Sequence, residues 1–192
     1  MKDLIVFLAP GFEEIEALTV VDFLRRAGAK VTVAAIGEDL IISSSHGVKL
    51  QADDFLARLD PNDYRAAYIP GGLPGATNLA ADHNVLAWVR QFHAEQKLLA
   101  AICAGPIVFD SLGLLKQGQF TCYPGFEKNL ETEGRIEASV VKDGQLWTAM
   151  GPVFAQFLAL ELVEELCGKE ARSELEKGLL YPELKALIKN KA

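Results

Sequence analysis

The chain has 192 residues, 50% hydrophobic and 23% charged, which supplies one sizeable core and leaves no case for disorder. Nineteen basic against 26 acidic residues leave a net charge of −7 and a pI near 5.0, which disfavours nucleic acid and anionic membranes as partners. Three cysteines, none in CxxC spacing, exclude a fully paired disulfide framework and fit a reducing cytosol.

The opening run, Met1 to Ala9, is too short to span a membrane. It meets Pro10-Gly11 and Glu13-Glu14, which does not suit a signal peptide. The expectation is a cytoplasmic, single-domain protein over residues 1–192. Leu4 to Ala9 reads as a strand buried on both faces, and Glu13 to Ala27 as a helix closed by Gly28. Lys30 to Ile36 is a second strand, so the first fifty residues form a β-α-β unit. Short extended pieces follow at Leu40–Ile42 and Val48–Leu50. Ala66 to Ile69 is a strand ended by Pro70-Gly71-Gly72, and Asn84 to Gln96 is a helix. Leu98 to Ile102 is a strand, with a helix expected over Ala104 to Leu115. Asp143-Gly144 marks a hairpin between Ala138–Val141 and Gln145–Met150, and Phe154 to Leu166 is a helix stopped by Gly168. Strands alternating with helices predict an α/β domain with a mainly parallel sheet and helices on both faces.

The Gly-rich turn Gly71-Gly72-Leu73-Pro74-Gly75 does not match GxGxxG, because Leu73 fills the second glycine's place. No P-loop is present either, so no nucleotide cofactor is expected. The informative stretch is Leu98 to Pro106, where a buried strand runs into Cys103 and then Ala104-Gly105. This pattern is similar to a nucleophile elbow with cysteine in place of serine. It places the sulfur at a sheet edge and at a helix N-terminus, an arrangement expected to lower the thiol pKa. The alternative is a small buried hydrophobe at a strand end. The Gly72 and Ala104 amides form a candidate oxyanion pair, against a plain tight turn at Gly71-Gly72. Glu16 lies among Ile15, Ala17 and Leu18 and tilts inward. Beside a thiolate it fits only as a protonated donor. None of His46, His83 and His93 is placed next to Cys103, and Cys122 and Cys167 read as ordinary thiols.

Leu8 to Glu16, Val21 to Gly28, Ile69 to Gly72, Ala100 to Pro106, Val141 to Gly144 and Met150 to Pro152 together resemble the ThiJ/PfpI superfamily. The likeness is to the branch of the Parkinson-disease-associated deglycase and its bacterial relatives. It implies a flavodoxin-like three-layer sandwich, a homodimer, Cys103 as an oxidisable nucleophile and Glu16 as its protonated partner. It implies a cofactor-free, metal-free glyoxalase or deglycase reaction on small aldehydes or glycated proteins. The alternative is a redox sensor or stress chaperone controlled by oxidation of Cys103. The chain departs from the family pattern at Thr121-Cys122-Tyr123-Pro124, where Tyr123 stands in place of a histidine. Tyrosine, with a reference pKa of about 10, is a poor base at neutral pH, so Tyr123 is assigned to the pocket wall. Ala104 follows the cysteine where the protease-like branch has histidine, which argues against peptidase chemistry. His46 stands where relatives place an arginine reaching across the dimer. Asp22, Arg25, Arg26 and His46 are therefore the candidate dimer contacts.

Overall fold

Strand β1 (Lys2–Leu8) buries both of its faces, and the layering follows from that. Leu4, Val6 and Leu8 enter one apolar cluster, while Ile5 and Phe7 enter another, so both sides of the sheet need a cover. The computed structural model describes residues 1–116 and 118–189. Residue 117 and the last three residues of the expected 1–192 domain lie outside the described residues.

From β1 the chain passes through α1 (Glu14–Arg26) to β2 (Val31–Ala35), then through the hairpin β3 (Ile41–Ser43) and β4 (Lys49–Gln51). It continues through β5 (Asp54–Phe55), β6 (Tyr64–Ile69), α2 (Gly75–Ala81), α3 (His83–Ala94) and β7 (Leu98–Ile102). The last part holds α4 (Ile107–Asp110), β8 (Val140–Asp143), β9 (Leu146–Ala149), α5 (Ala155–Cys167), α6 (Lys169–Gly178) and α7 (Tyr181–Lys189). Seven strands form one sheet in the order β5-β2-β1-β6-β7-β9-β8. Every pairing is parallel except β8 with β9, the hairpin at Asp143-Gly144. This is the flavodoxin-like sandwich expected from the sequence.

On one face, Val20 and Leu24 of α1 and Leu158 and Leu162 of α5 cover Leu4, Val6, Tyr68 and Ala100. On the other, Val85, Trp88, Val89 and Phe92 of α3 cover Ile5, Phe7, Ala67 and Leu99. Trp88 anchors this second layer, with its ring centroid 5.8 Å from those of Phe7 and Tyr64 and 5.9 Å from that of Phe92.

The helix expected over Ala104–Leu115 is reduced to a single turn, α4. Past Asp110 the chain folds back through Gly113, whose φ is 69°. The Leu114 amide bonds Phe109 O at 3.0 Å, closing a turn instead of propagating a helix. Buried Asp110 accepts the Glu131 and Thr132 amides at 2.7 and 3.1 Å, tying this turn to the loop that follows it. Helices α2, α6 and α7 are not among the elements expected from the sequence. In α6 only Leu175 is buried, and Arg172 holds that helix through Glu161 and Glu164 of α5, each at 2.8 Å.

Phe92 is fully buried in the second layer, so Phe92→Ala should lower unfolding free energy by about 3–5 kcal/mol. Urea titration followed by circular dichroism checks this, with an unchanged m-value expected.

Candidate active site

Strands β1, β6 and β7 run parallel, and the segments that leave their C-terminal ends converge at one sheet edge. Cys103 leaves β7 with φ of 61°, a left-handed conformation uncommon for a residue with a Cβ. Both of its backbone groups are held there. Its N–H donates to Ala149 O at 3.0 Å, and its carbonyl accepts the Tyr123 N–H at 3.1 Å. The elbow is therefore fixed by β9 on one side and by the segment carrying Tyr123 on the other.

Glu16, in the first turn of α1, is fully buried beside this thiol. Glu13 caps the helix, its Oε2 accepting the Glu16 N–H at 2.7 Å, and the Tyr68 hydroxyl donates to Glu16 O at 3.1 Å. Glu16 Oε2 accepts the Gly71 N–H at 2.8 Å, while Oε1 has no nitrogen or oxygen partner among the described residues. Gly71 is needed for this approach. A Cβ there would lie 2.6 Å from Glu16 Oε2 and 2.7 Å from Cys103 Cβ. Gly72, at φ of 88°, turns its amide toward the sulfur, as Ala104 does from the other side.

Burial pushes the Glu16 carboxyl up to about 7, with the charge of Glu13 adding to the rise. The hydrogen bonds to Cys103 and to the Gly71 amide act in the opposite direction. Burial also raises the Cys103 thiol, followed by the charge of Glu16 and the hydrogen bond to it. The expectation of a thiol pKa lowered by a helix N-terminus is therefore corrected: α4 begins four residues later and is one turn long. Two anions cannot share this buried space, so Glu16 and Cys103 titrate as a pair holding one proton above about pH 7. When that proton sits on Glu16, its O–H becomes a donor, and the Gly72 and Ala104 amides hold the thiolate. Burial pushes Cys122 up to about 11 and also raises Cys167.

Tyr123 is about half exposed, and its ring lies against Gly151. His46 lies outside this cluster, with its Nδ1 3.0 Å from Glu14 Oε2. That contact raises the His46 pKa and lowers that of Glu14. Arg26 pairs with Asp22 at 2.7 Å and Arg25 with Asp53 at 2.6 Å, all at half-exposed positions. Glu13, Glu14 and His46 bring possible metal-ligand atoms within 4.8 Å of one another. All three are already engaged, Glu13 by the Glu16 amide and Glu14 and His46 by each other. The sequence reading missed Gly71 and the cap at Glu13. Gly71 sits in a turn that was noticed, but only its contact with Glu16 reveals the need for a missing side chain.

Fold and site together define a class, an α/β sandwich whose strand-end elbow carries a cysteine beside a buried glutamate. The chain belongs to the DJ-1/PfpI family, whose model matches residues 2–165. Protein dj-1beta of Drosophila melanogaster is 38% identical over 181 residues, covering 93% of this chain and 97% of that protein. Its crystal structure superposes with a TM-score of 0.88 over 93% of this chain and 97% of that one. Protein DJ-1 homolog B of Arabidopsis thaliana is 38% identical over 178 residues, 92% of this chain; the match spans 41% of that longer protein. Oxidized DJ-1 of Toxoplasma gondii, 36% identical, gives a TM-score of 0.87 over 94% of this chain and 98% of its own. Among the described residues no helix is long and apolar enough to cross a membrane.

A carboxyl raised from 4.5 to about 7 binds more protons folded than unfolded, so its contribution to stability falls as pH rises through that window. Glu16→Gln should remove this fall. Its stability relative to wild type should therefore improve between pH 4.5 and 7, read by urea titration at each pH.

Proposed function

We propose that this chain is a stress-related protein of DJ-1 type that acts on reactive 2-oxoaldehydes through Cys103. The observation that carries this reading is the buried Glu16 carboxyl, its Oε1 unpartnered, beside a thiol flanked by two amides. Such a pair moves one proton over a short path without bulk water. The Cys103 proton passes to Glu16, and the sulfur bonds the aldehyde carbon as the carbonyl π pair moves to oxygen. Glu16 returns its proton to that oxygen, giving a hemithioacetal.

Ionised Glu16 then takes the C1 proton and delivers it to C2, while the hydroxyl proton passes from O1 to O2. The result is a 2-hydroxy thioester, which water cleaves to the hydroxy acid and the free thiol. The sum is one aldehyde and one water giving one 2-hydroxy acid, with no net oxidation. The Gly72 and Ala104 amides stabilise the sulfur when it is anionic and fit the role of donors to the oxygen formed beside it. The same reading takes small aldehydes or glycated proteins as the substrate class, a cytoplasmic location and a homodimer, as DJ-1 family proteins often are.

A second reading is favoured by the amides around the sulfur and by the Toxoplasma relative crystallised in oxidized form. Hydrogen peroxide would oxidise the thiolate, forming an S–O bond while the O–O bond breaks and water leaves. A second equivalent gives a sulfinate, held by the amides and by protonated Glu16. The protein would then act as a redox sensor or stress chaperone.

Lactate formation from methylglyoxal tests the first reading. Cys103→Ser should abolish it, and Glu16→Gln should lower kcat by about 10²-fold or more. Wild type that makes no lactate with its thiol verified as reduced by mass spectrometry leaves the sensor reading in its place. Tyr123→Phe should change turnover less than about twofold, since a wall residue needs its ring and not its hydroxyl. A tenfold loss would make the phenol a proton carrier.

A further inference from the structure

Tyr123, Pro124, Met150, Pro152, Val153 and Phe154 line a cleft of about 500 Å³ with Gly151 at its floor. It adjoins the nucleophile through the backbone: Ala149, which accepts the Cys103 N–H, precedes Met150, and Tyr123 donates to the Cys103 carbonyl. The Tyr123 ring reaches Gly151 closely enough that a Cβ there would lie 3.2 Å from Cδ2. Among the described residues no carboxylate, ammonium or guanidinium lines this space. Val153 is 69% exposed and Tyr123 52%, so both leave apolar surface open to a ligand.

A formyl hydrogen or a methyl group leaves nearly all of this cleft unfilled. A glycated lysine or arginine would bring a polar nitrogen next to the reacting carbon and find no anion in the cleft to receive it. We infer, building on the dicarbonyl reading above, that the preferred substrates are 2-oxoaldehydes bearing a branched apolar or aromatic group on the ketone carbon. That group lies in the Tyr123–Met150–Val153 cleft while Cys103 holds the aldehyde carbon. The chemistry remains that of the small aldehydes: an aryl 2-oxoaldehyde and one water give the aryl 2-hydroxy acid. Specificity resides in apolar residues that take no part in proton transfer. A filled hydrophobic pocket discriminates by about tenfold or more for each group it gains.

The test compares phenylglyoxal, read as mandelate, with methylglyoxal, read as lactate, on wild type, Val153→Asp and Val153→Leu. Val153 is exposed, so neither variant disturbs the core. Wild type should favour phenylglyoxal by about tenfold or more in kcat/KM, with the difference in KM. That preference should fall about tenfold in Val153→Asp and persist in Val153→Leu. Turnover of both aldehydes with no preference, or with the same ratio in Val153→Asp, overturns the inference and leaves the dicarbonyl reading standing.

Turnover of neither aldehyde removes that reading and the substrate inference with it. Binding of acetophenone to Cys103→Ser, weakened by adding Val153→Asp, would then show that the cleft takes aryl groups although the chemistry was misassigned. Acetophenone binding that weakens in step with dimer formation, followed by sedimentation, gives the cleft to a second copy of the chain and overturns the inference.

Discussion

One proton shared between a buried carboxyl and a thiol is the constraint on which the site depends. A carboxylate at the fully buried position of Glu16 is costly, and a thiolate beside it doubles the problem. The surrounding residues limit that cost without supplying a counter-ion. Gly71 donates one amide to Oε2, and its missing side chain lets acid and thiol approach. Glu13 fixes the first turn of α1 through the Glu16 amide, and Tyr68 holds the Glu16 carbonyl. Among the described residues no lysine or arginine bears on the raised value of Glu16, which burial sets. A salt-bridged acid would have lost its proton well below neutral pH and could not donate to sulfur.

The parallel sheet makes this possible because it brings segments distant in sequence to one edge. Glu16 follows β1, Gly71 and Gly72 follow β6, and Cys103 follows β7, with β1 and β7 both flanking β6 in the sheet. The hairpin β3–β4 also braces the site. The Gly11 amide bonds Ser43 O and the Ser45 amide bonds Phe12 O, both at 2.8 Å. These contacts hold the loop that leads into α1. His46 occupies the tip of this brace and couples to Glu14, on the outer side of the turn that carries Glu16.

Much of this was legible in the sequence where one local pattern determines the outcome. The doubly buried run at Leu4 to Leu8, the Asp143-Gly144 hairpin and the strand running into Cys103 each fix an element through backbone and burial alone. The helix expected over Ala104–Leu115 shortens to one turn because Gly113 and the anchoring of Asp110 stop it, and neither effect has a local signature. Pairing Glu16 with Cys103 was legible from chemistry. The direction of the thiol's pKa was not, because it depends on desolvation and on a neighbour about ninety residues earlier in the chain. The apolar cleft was equally hidden, since Tyr123 and Val153 meet only after β8 and β9 return the chain to the elbow.

The site thus divides into two halves that answer to different constraints. The half around Cys103 is built from backbone: the amides of Gly71, Gly72 and Ala104 serve the Glu16 and Cys103 side chains. Backbone donors survive most substitutions at their own positions, except where a Cβ would collide, as at Gly71. The receiving half is built from side chains on segments that need only pass near the elbow, namely Tyr123, Met150, Val153 and Phe154. Exposed residues such as Val153 can change with little effect on stability, because they pack against no core. In the proposed reaction the fold itself would therefore hold the chemistry, while the identity of the group beside the reacting carbonyl would be free to follow the cleft.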